Sequence, residues 1–181
     1  MFPFLSNLQN LINLGVNHID FSINPKVEKK FTLKSFELVG SPVVPMHMAL
    51  HAIPLQVAIG FEIPLIIWGA HQGIDQVGMF SHNDKVEMNE KYRKNHDLMG
   101  YDANDLVGEI CDQDDLVNYQ YPSMNDLEKV GVRGIYLNNY MFWDSFKQHV
   151  DMHKKYNYNF NILQSHTPII YRIIFWNDLC S

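Results

Sequence analysis

The sequence predicts an α/β fold, a parallel sheet with flanking helices. Three observations predict it. Strand and helix signals alternate over the first part of the chain in the order helix, strand, helix, helix, strand, and that order builds a layered sheet with right-handed crossovers. Leu65-Ile-Ile-Trp68 is a short continuous apolar run, the pattern of a strand buried on both faces. A polar stretch, His71 to Asn83, follows it directly, at the place where open α/β sheets hold ligands.

Element by element, Asn7 to Leu14 has apolar residues at helical spacing (Leu8, Leu11, Ile12), and Gly15 is a C-terminal stop. His18 to Ile23 alternates apolar and polar residues with period two and predicts a strand. Asn24-Pro25 opens a helix that Gly40 ends, with Val27, Phe31, Leu33 and Phe36 as its apolar positions. Pro45 to Ile59 is mostly apolar and predicts a buried helix, kinked or restarted at Pro54. Gly60 to Pro64 turns into the Leu65–Trp68 strand.

Asp84 to His96 predicts a charged helix with Glu87 and Lys91 at the favourable four-residue spacing. Short helices are expected over Asp102–Ile110, Asp114–Tyr119 and Met124–Val130, the last after a Ser123 cap. Val132 to Leu137 predicts a strand. Asp144 opens a helix through Tyr156 with Phe146, Val150 and His153 at helical spacing. The expected sheet therefore holds Ile19–Ile23, Leu65–Trp68 and Val132–Leu137, all parallel.

Composition narrows the function classes. The 181 residues are 46% hydrophobic and 19% charged, enough apolar content for one packed core and too much for a disordered polar chain. A net charge of −6 argues against nucleic acid or an anionic membrane surface as partner, since both need clustered Lys and Arg. No run approaches the ~18 apolar residues of a membrane span, and the start does not look like a secretory signal. Cys111 and Cys180 are too few for a disulfide framework, and they suit a reducing cytoplasm.

Several residues could carry chemistry. His47 and His51 are four apart on one helix, as are His149 and His153, a spacing that can place two imidazoles on one metal. Met48 stands where the zinc-protease pattern needs Glu, so packed or surface histidines are the favoured reading and no metal is expected. His71, Asp75 and His82 share the polar loop and could serve as acid, base or substrate donors; the alternative is an ordinary surface connection. Arg133 could hold a carboxylate or phosphate, or be an exposed arginine at a strand start. Ser81-His82 and Ser165-His166 lack a nucleophile-elbow pattern, and no phosphate-cradling Gly-rich loop is present.

Four ordered phrases are more specific: Ile63-Pro-Leu-Ile-Ile-Trp-Gly69; Gly78-Met-Phe-Ser-His-Asn-Asp84; Lys91-Tyr-Arg-Lys-Asn-His-Asp97 with Gly100-Tyr-Asp102; and Val130-Gly-Val-Arg-Gly-Ile-Tyr-Leu137 with Trp143-Asp144. Together they resemble the N-acetyl sugar amidotransferases, PP-loop ATPases of lipopolysaccharide and pseudaminic-type (nonulosonic) sugar biosynthesis. The resemblance covers roughly Leu8 to Tyr158. It implies a Rossmann-like adenine-nucleotide α-hydrolase fold that uses ATP with Mg. It also implies conversion of a sugar N-acetyl group to acetamidino with glutamine-derived ammonia. A glutaminase subunit and a cyclase-like subunit, resembling the pair of histidine biosynthesis, would supply the ammonia in the cytoplasm.

The sequence departs from that family. The Ser-Gly-Gly-x-Asp-Ser nucleotide loop and the N-terminal cysteine pairs are absent, and Ala70 stands where a glutamate is common. The chain after about Phe160 no longer resembles it, so residues 1–160 are expected to form a partial PP-loop domain, truncated at both ends, and 161–181 a divergent tail. Position and resemblance together nominate Trp68, His71, Asp75, His82, Asn83 and Arg133 for the substrate side: Trp68 to stack on sugar or base, Arg133 to recognise an anion, the others for polar contacts. No catalytic residue and no cofactor bound by this chain is nominated. The competing readings are a non-catalytic fragment or partner-docking module, and a His-dependent metal hydrolase.

Overall fold

The computed structural model describes residues 3–69, 87–88, 90, 93–106, 112–142, 144–157 and 170–175. Their contacts divide between two units, one within residues 23–142 and one within 1–22 and 143–181.

In the unit spanning 23–142, α2 (Pro25–Val39) begins where Asn24 Oδ1 accepts the Lys26 N–H at 3.0 Å, with Pro25 in its first turn. It ends at Gly40, whose φ of 73° lets its N–H reach the Phe36 carbonyl. Of the apolar positions read from the sequence, Phe31 is fully buried, edge-on to Tyr119 at 4.7 Å, while Leu33 and Phe36 are exposed.

Helix α3 (Val44–Gly60) is apolar around most of its surface and is the central helix of this unit, burying Met48, Ala49, Ala52, Ile53, Leu55 and Ala58. The helix does not restart at Pro54 but runs through it. Pro54 leaves the Leu50 carbonyl without an intrahelical donor, a cost of about 3 kcal/mol. Ile53 and Leu55, fully buried on either side of it, stabilise by about 1.5–3 kcal/mol each, which offsets that loss.

Strands β2 (Leu65–Trp68) and β3 (Arg133–Tyr136) pair in parallel, with Leu65 opposite Arg133 and Trp68 opposite Tyr136. Arg133 N–H donates to the Pro64 carbonyl at 2.8 Å just before the pair begins. Two expectations need correction here. The His18–Ile23 strand is not a member of this sheet. Nor is β2 buried on both faces, because Leu65 is 45% and Ile67 56% exposed.

The expected helix over Asp84–His96 also differs. Glu87 forms an antiparallel bridge to Ile135, and Met88 N–H donates to the Gly134 carbonyl at 2.9 Å. The backbone here meets the free side of β3 in an extended form, so the Glu87–Lys91 helical spacing has no helix to act on at Glu87; Lys91 lies outside the described residues. Arg93–Asp97 is a π-turn, and Ala103–Leu106 and Gln113–Tyr119 are 3-10 turns. Helix α4 (Met124–Val130) has the predicted bounds: Ser123 Oγ accepts the Asp126 N–H at 3.2 Å, and Gly131 at φ 74° closes it.

In the other unit, α1 (Pro3–Asn13) ends before Gly15, at φ 89°, and β1 (Asn17–Ser22) pairs antiparallel with β4 (Ile170–Phe175). Asn17 faces Phe175 and Ser22 faces Ile170. The reason lies in the pattern. Period-two alternation marks a strand with one buried face, as antiparallel pairs have, whereas parallel strands read as continuous apolar runs. Helix α5 (Ser145–Tyr156) starts at Asp144, whose Oδ1 accepts the Lys147 N–H at 2.8 Å. Phe146, expected on its apolar side, is 78% exposed.

Candidate functional site

Two of the six nominated residues, Trp68 and Arg133, are described, and the β2–β3 pair sets both. His71, Asp75, His82 and Asn83 lie outside the described residues. Trp68 ends β2 and Arg133 begins β3, so parallel pairing puts them at opposite ends of the sheet, about 10 Å apart along the strands.

Trp68 turns its indole over the sheet. Its Nε1 is buried and has no acceptor among the described residues, and its ring lies 5.8 Å from that of His51. Gly134 makes the room. A Cβ there would come within 2.9 Å of Trp68 Nε1 and 3.1 Å of Met88 Cβ. The glycine is needed for close approach, and the sequence reading assigned it no role.

Arg133 is not free for an anion. Its guanidinium makes a two-point ion pair with the Glu87 carboxylate, one contact being Nε to Oε2 at 3.2 Å. That hydrogen bond first, and the Glu87 charge second, raise the Arg133 pKa. Glu87 gave no sequence signal for this role because it was read as part of a helix.

A second cluster surrounds Arg93, which is 1% exposed. Its Nη2 pairs with Asp102 Oδ2 at 3.1 Å, and its guanidinium carbon lies 4.0 Å from the centre of the Tyr121 ring. Arg93 Nε and Nη1 have no acceptor among the described residues. Burial pushes the Tyr121 hydroxyl pKa up; Arg93 opposes that rise, and Glu90 and Asp102 add to it. The signal was present in the sequence: Arg93 and Asp102 sit in adjoining halves of one phrase, Lys91–Asp97 with Gly100–Asp102.

Tyr121 also lines a cavity of about 410 Å³ beside the start of β3 and α4, with Met88 and Glu90. Leu55, Leu127 and Gly134 form its buried floor, and Glu90, Met124 and Glu128 its exposed rim. It lies by the amino end of β3, not at the carboxyl end of β2 where the sequence placed the site.

Among the described residues, the N-termini of α2, α4 and α5 are occupied by their own side-chain caps, and Arg133 is held by Glu87. Nor do the described residues gather a metal site: among them no three His, Cys, Asp or Glu side chains could hold one ion. Comparison with protein-family models and with curated proteins returned no match to the chain.

Proposed function

We propose that this chain is part of an N-acetyl sugar amidotransferase-like protein of surface-polysaccharide biosynthesis and supplies its sugar-binding side. One observation supports the reading above the others. The phrases Ile63–Gly69 and Val130–Leu137, distant in sequence, lie side by side as β2 and β3 in parallel register. The His71–Asn83 segment then follows directly from the carboxyl end of β2, the end at which α/β enzymes bind substrates. Among the described residues no helix is long and apolar enough to cross a membrane; the reading gives the chain a glutaminase and a cyclase-like subunit as cytoplasmic partners.

The 181 residues contain no Gly-rich phosphate loop, so no step through ATP is assigned to them. Converging backbone N–H groups at a helix N-terminus are what holds polyphosphate, and scattered side chains substitute poorly. Their lack is worth several kcal/mol in a transition state, on the order of a thousandfold or more in rate. On this reading these 181 residues by themselves do not carry out amidination. A second reading, a non-catalytic module that docks on a partner, draws on the exposure of Leu65 and Ile67.

Saturation-transfer NMR tests the first reading. A panel of N-acetylated nucleotide sugars is compared with the same sugars bearing a free amine. The reading expects saturation of an acetyl methyl group, lost in His71→Ala or Asn83→Ala. Equal saturation of the free-amine sugars, or no saturation across the panel at millimolar concentration, contradicts it.

A further inference from the structure

We propose that the cavity beside Tyr121 binds a small organic cation with an apolar body, an aryl- or alkylammonium. The proposal stands apart from the sugar-binding reading and uses none of its residues except Arg133, which is neutralised.

The argument begins with shape. At about 410 Å³ the cavity is the size of a small-molecule site, and its floor of Leu55, Leu127 and Gly134 is buried. Met88 and Met124 add soft, adaptable walls that suit a ring or alkyl chain. An apolar body therefore gains burial there.

Charge then selects the head group. Three charged residues line the cavity: Glu90, Glu128 and Arg133. Arg133 is satisfied by its two-point pair with Glu87. Glu90 and Glu128 have no ion pair among the described residues, so the described lining offers two carboxylates against one arginine that is already paired. Glu90 and Tyr121 line the same cavity, and the Glu90 charge acts on the Tyr121 hydroxyl.

Tyr121 completes the site. Its electron-rich face attracts a cation, and such contacts are worth about 0.5–2 kcal/mol, more as water is excluded. The ring also carries Arg93 at 4.0 Å, whose charge is balanced by Asp102 at 3.1 Å and so does not repel a second cation in full. Carboxylates at the rim, an aromatic wall and an apolar floor admit a cation, tolerate a neutral molecule and disfavour an anion.

The test uses the whole chain with its methionines labelled at the methyl carbon, so that Met88 and Met124 report from the cavity itself. Three probes of one shape are titrated: 2-phenylethylammonium, 2-phenylethanol and 3-phenylpropanoate. The proposal expects saturable shifts of the Met88 and Met124 methyls with the ammonium, binding about tenfold weaker for the alcohol and weaker still for the carboxylate. Glu90→Gln and Glu128→Gln should each weaken the ammonium severalfold while leaving the alcohol unchanged. These are conservative changes at exposed positions, and an unchanged thermal transition verifies the fold. Equal or tighter binding of the alcohol or carboxylate, shifts confined to other methionines, or no shift at millimolar ammonium overturns the proposal.

Discussion

Gly134 shows how much of the site rests on the absence of one side chain. Trp68 and Met88 close over it at distances a Cβ cannot share. Gly134→Ala should destabilise the protein by about 1–3 kcal/mol through overpacking, read as a lower urea midpoint with tryptophan fluorescence as probe. Arg93 presents the electrostatic case. Asp102→Asn leaves a buried guanidinium uncompensated, and breaking such a pair costs about 3–5 kcal/mol. The double change Arg93→Met with Asp102→Asn should cost less than Asp102→Asn alone, because the stranded charge is gone; denaturant unfolding of the set checks the order. Tyr121 supplies a pH prediction. Burial raises its pKa above the ordinary value, so the folded state keeps its proton while the unfolded chain loses it. That contribution is fully present below the unfolded pKa of about 10 and is lost as pH rises through the folded value. A spectrophotometric titration should show a late-ionising tyrosine component that diminishes by one residue in Tyr121→Phe. At this scale the sequence nominates Trp68 and Arg133, and the structure gives Arg133 an ion pair in place of a free guanidinium. It could not reveal Glu87 as the partner of Arg133, because that contact spans 46 positions and depends on an extended backbone at Glu87.

Helix ends were the most legible elements, since a cap is a local contract between neighbours. Asn24, Ser123 and Asp144 each accept a backbone N–H in the first turn, and Gly40 and Gly131 take positive φ at the ends. Ser123→Ala and Asp144→Ala should each cost about 1 kcal/mol, measured as a shift in thermal or denaturant midpoint, and Thr at Ser123 should largely restore it. Strand partners were not legible. The alternation in His18–Ile23 carried the correct sign of a one-faced strand, but its partner, β4, begins after Pro168 and holds Arg172 within its apolar run. The run at Leu65–Trp68 was correctly a strand in a parallel pair, yet Leu65 and Ile67 remain exposed. Apolar content reports what a strand can bury, not whether another layer covers it. Pro54 failed as a breaker for the converse reason: tertiary burial around it outweighed a local penalty.

Across the whole molecule, one arrangement carries both the fold and the functional reading. The β2–β3 pair joins two phrases more than sixty residues apart, fixes Trp68 and Arg133 at opposite ends, and sets Gly134 under the indole. The α/β class follows from it. The cavity at the amino end of β3 was illegible in sequence because Leu55, Met88, Tyr121 and Leu127 converge from four separate segments. The most direct test is a nuclear Overhauser measurement on isotope-labelled protein across Leu65–Trp68 and Arg133–Tyr136. Parallel register predicts cross-strand amide and Hα–amide contacts linking Ile66 and Ile67 with Gly134 and Ile135, slow exchange of the Arg133 amide bound to Pro64, and no close Hα–Hα pairs. Close Hα–Hα pairs between the two segments would make the strands antiparallel, and no contacts at all would dissolve the pair; either result contradicts the account.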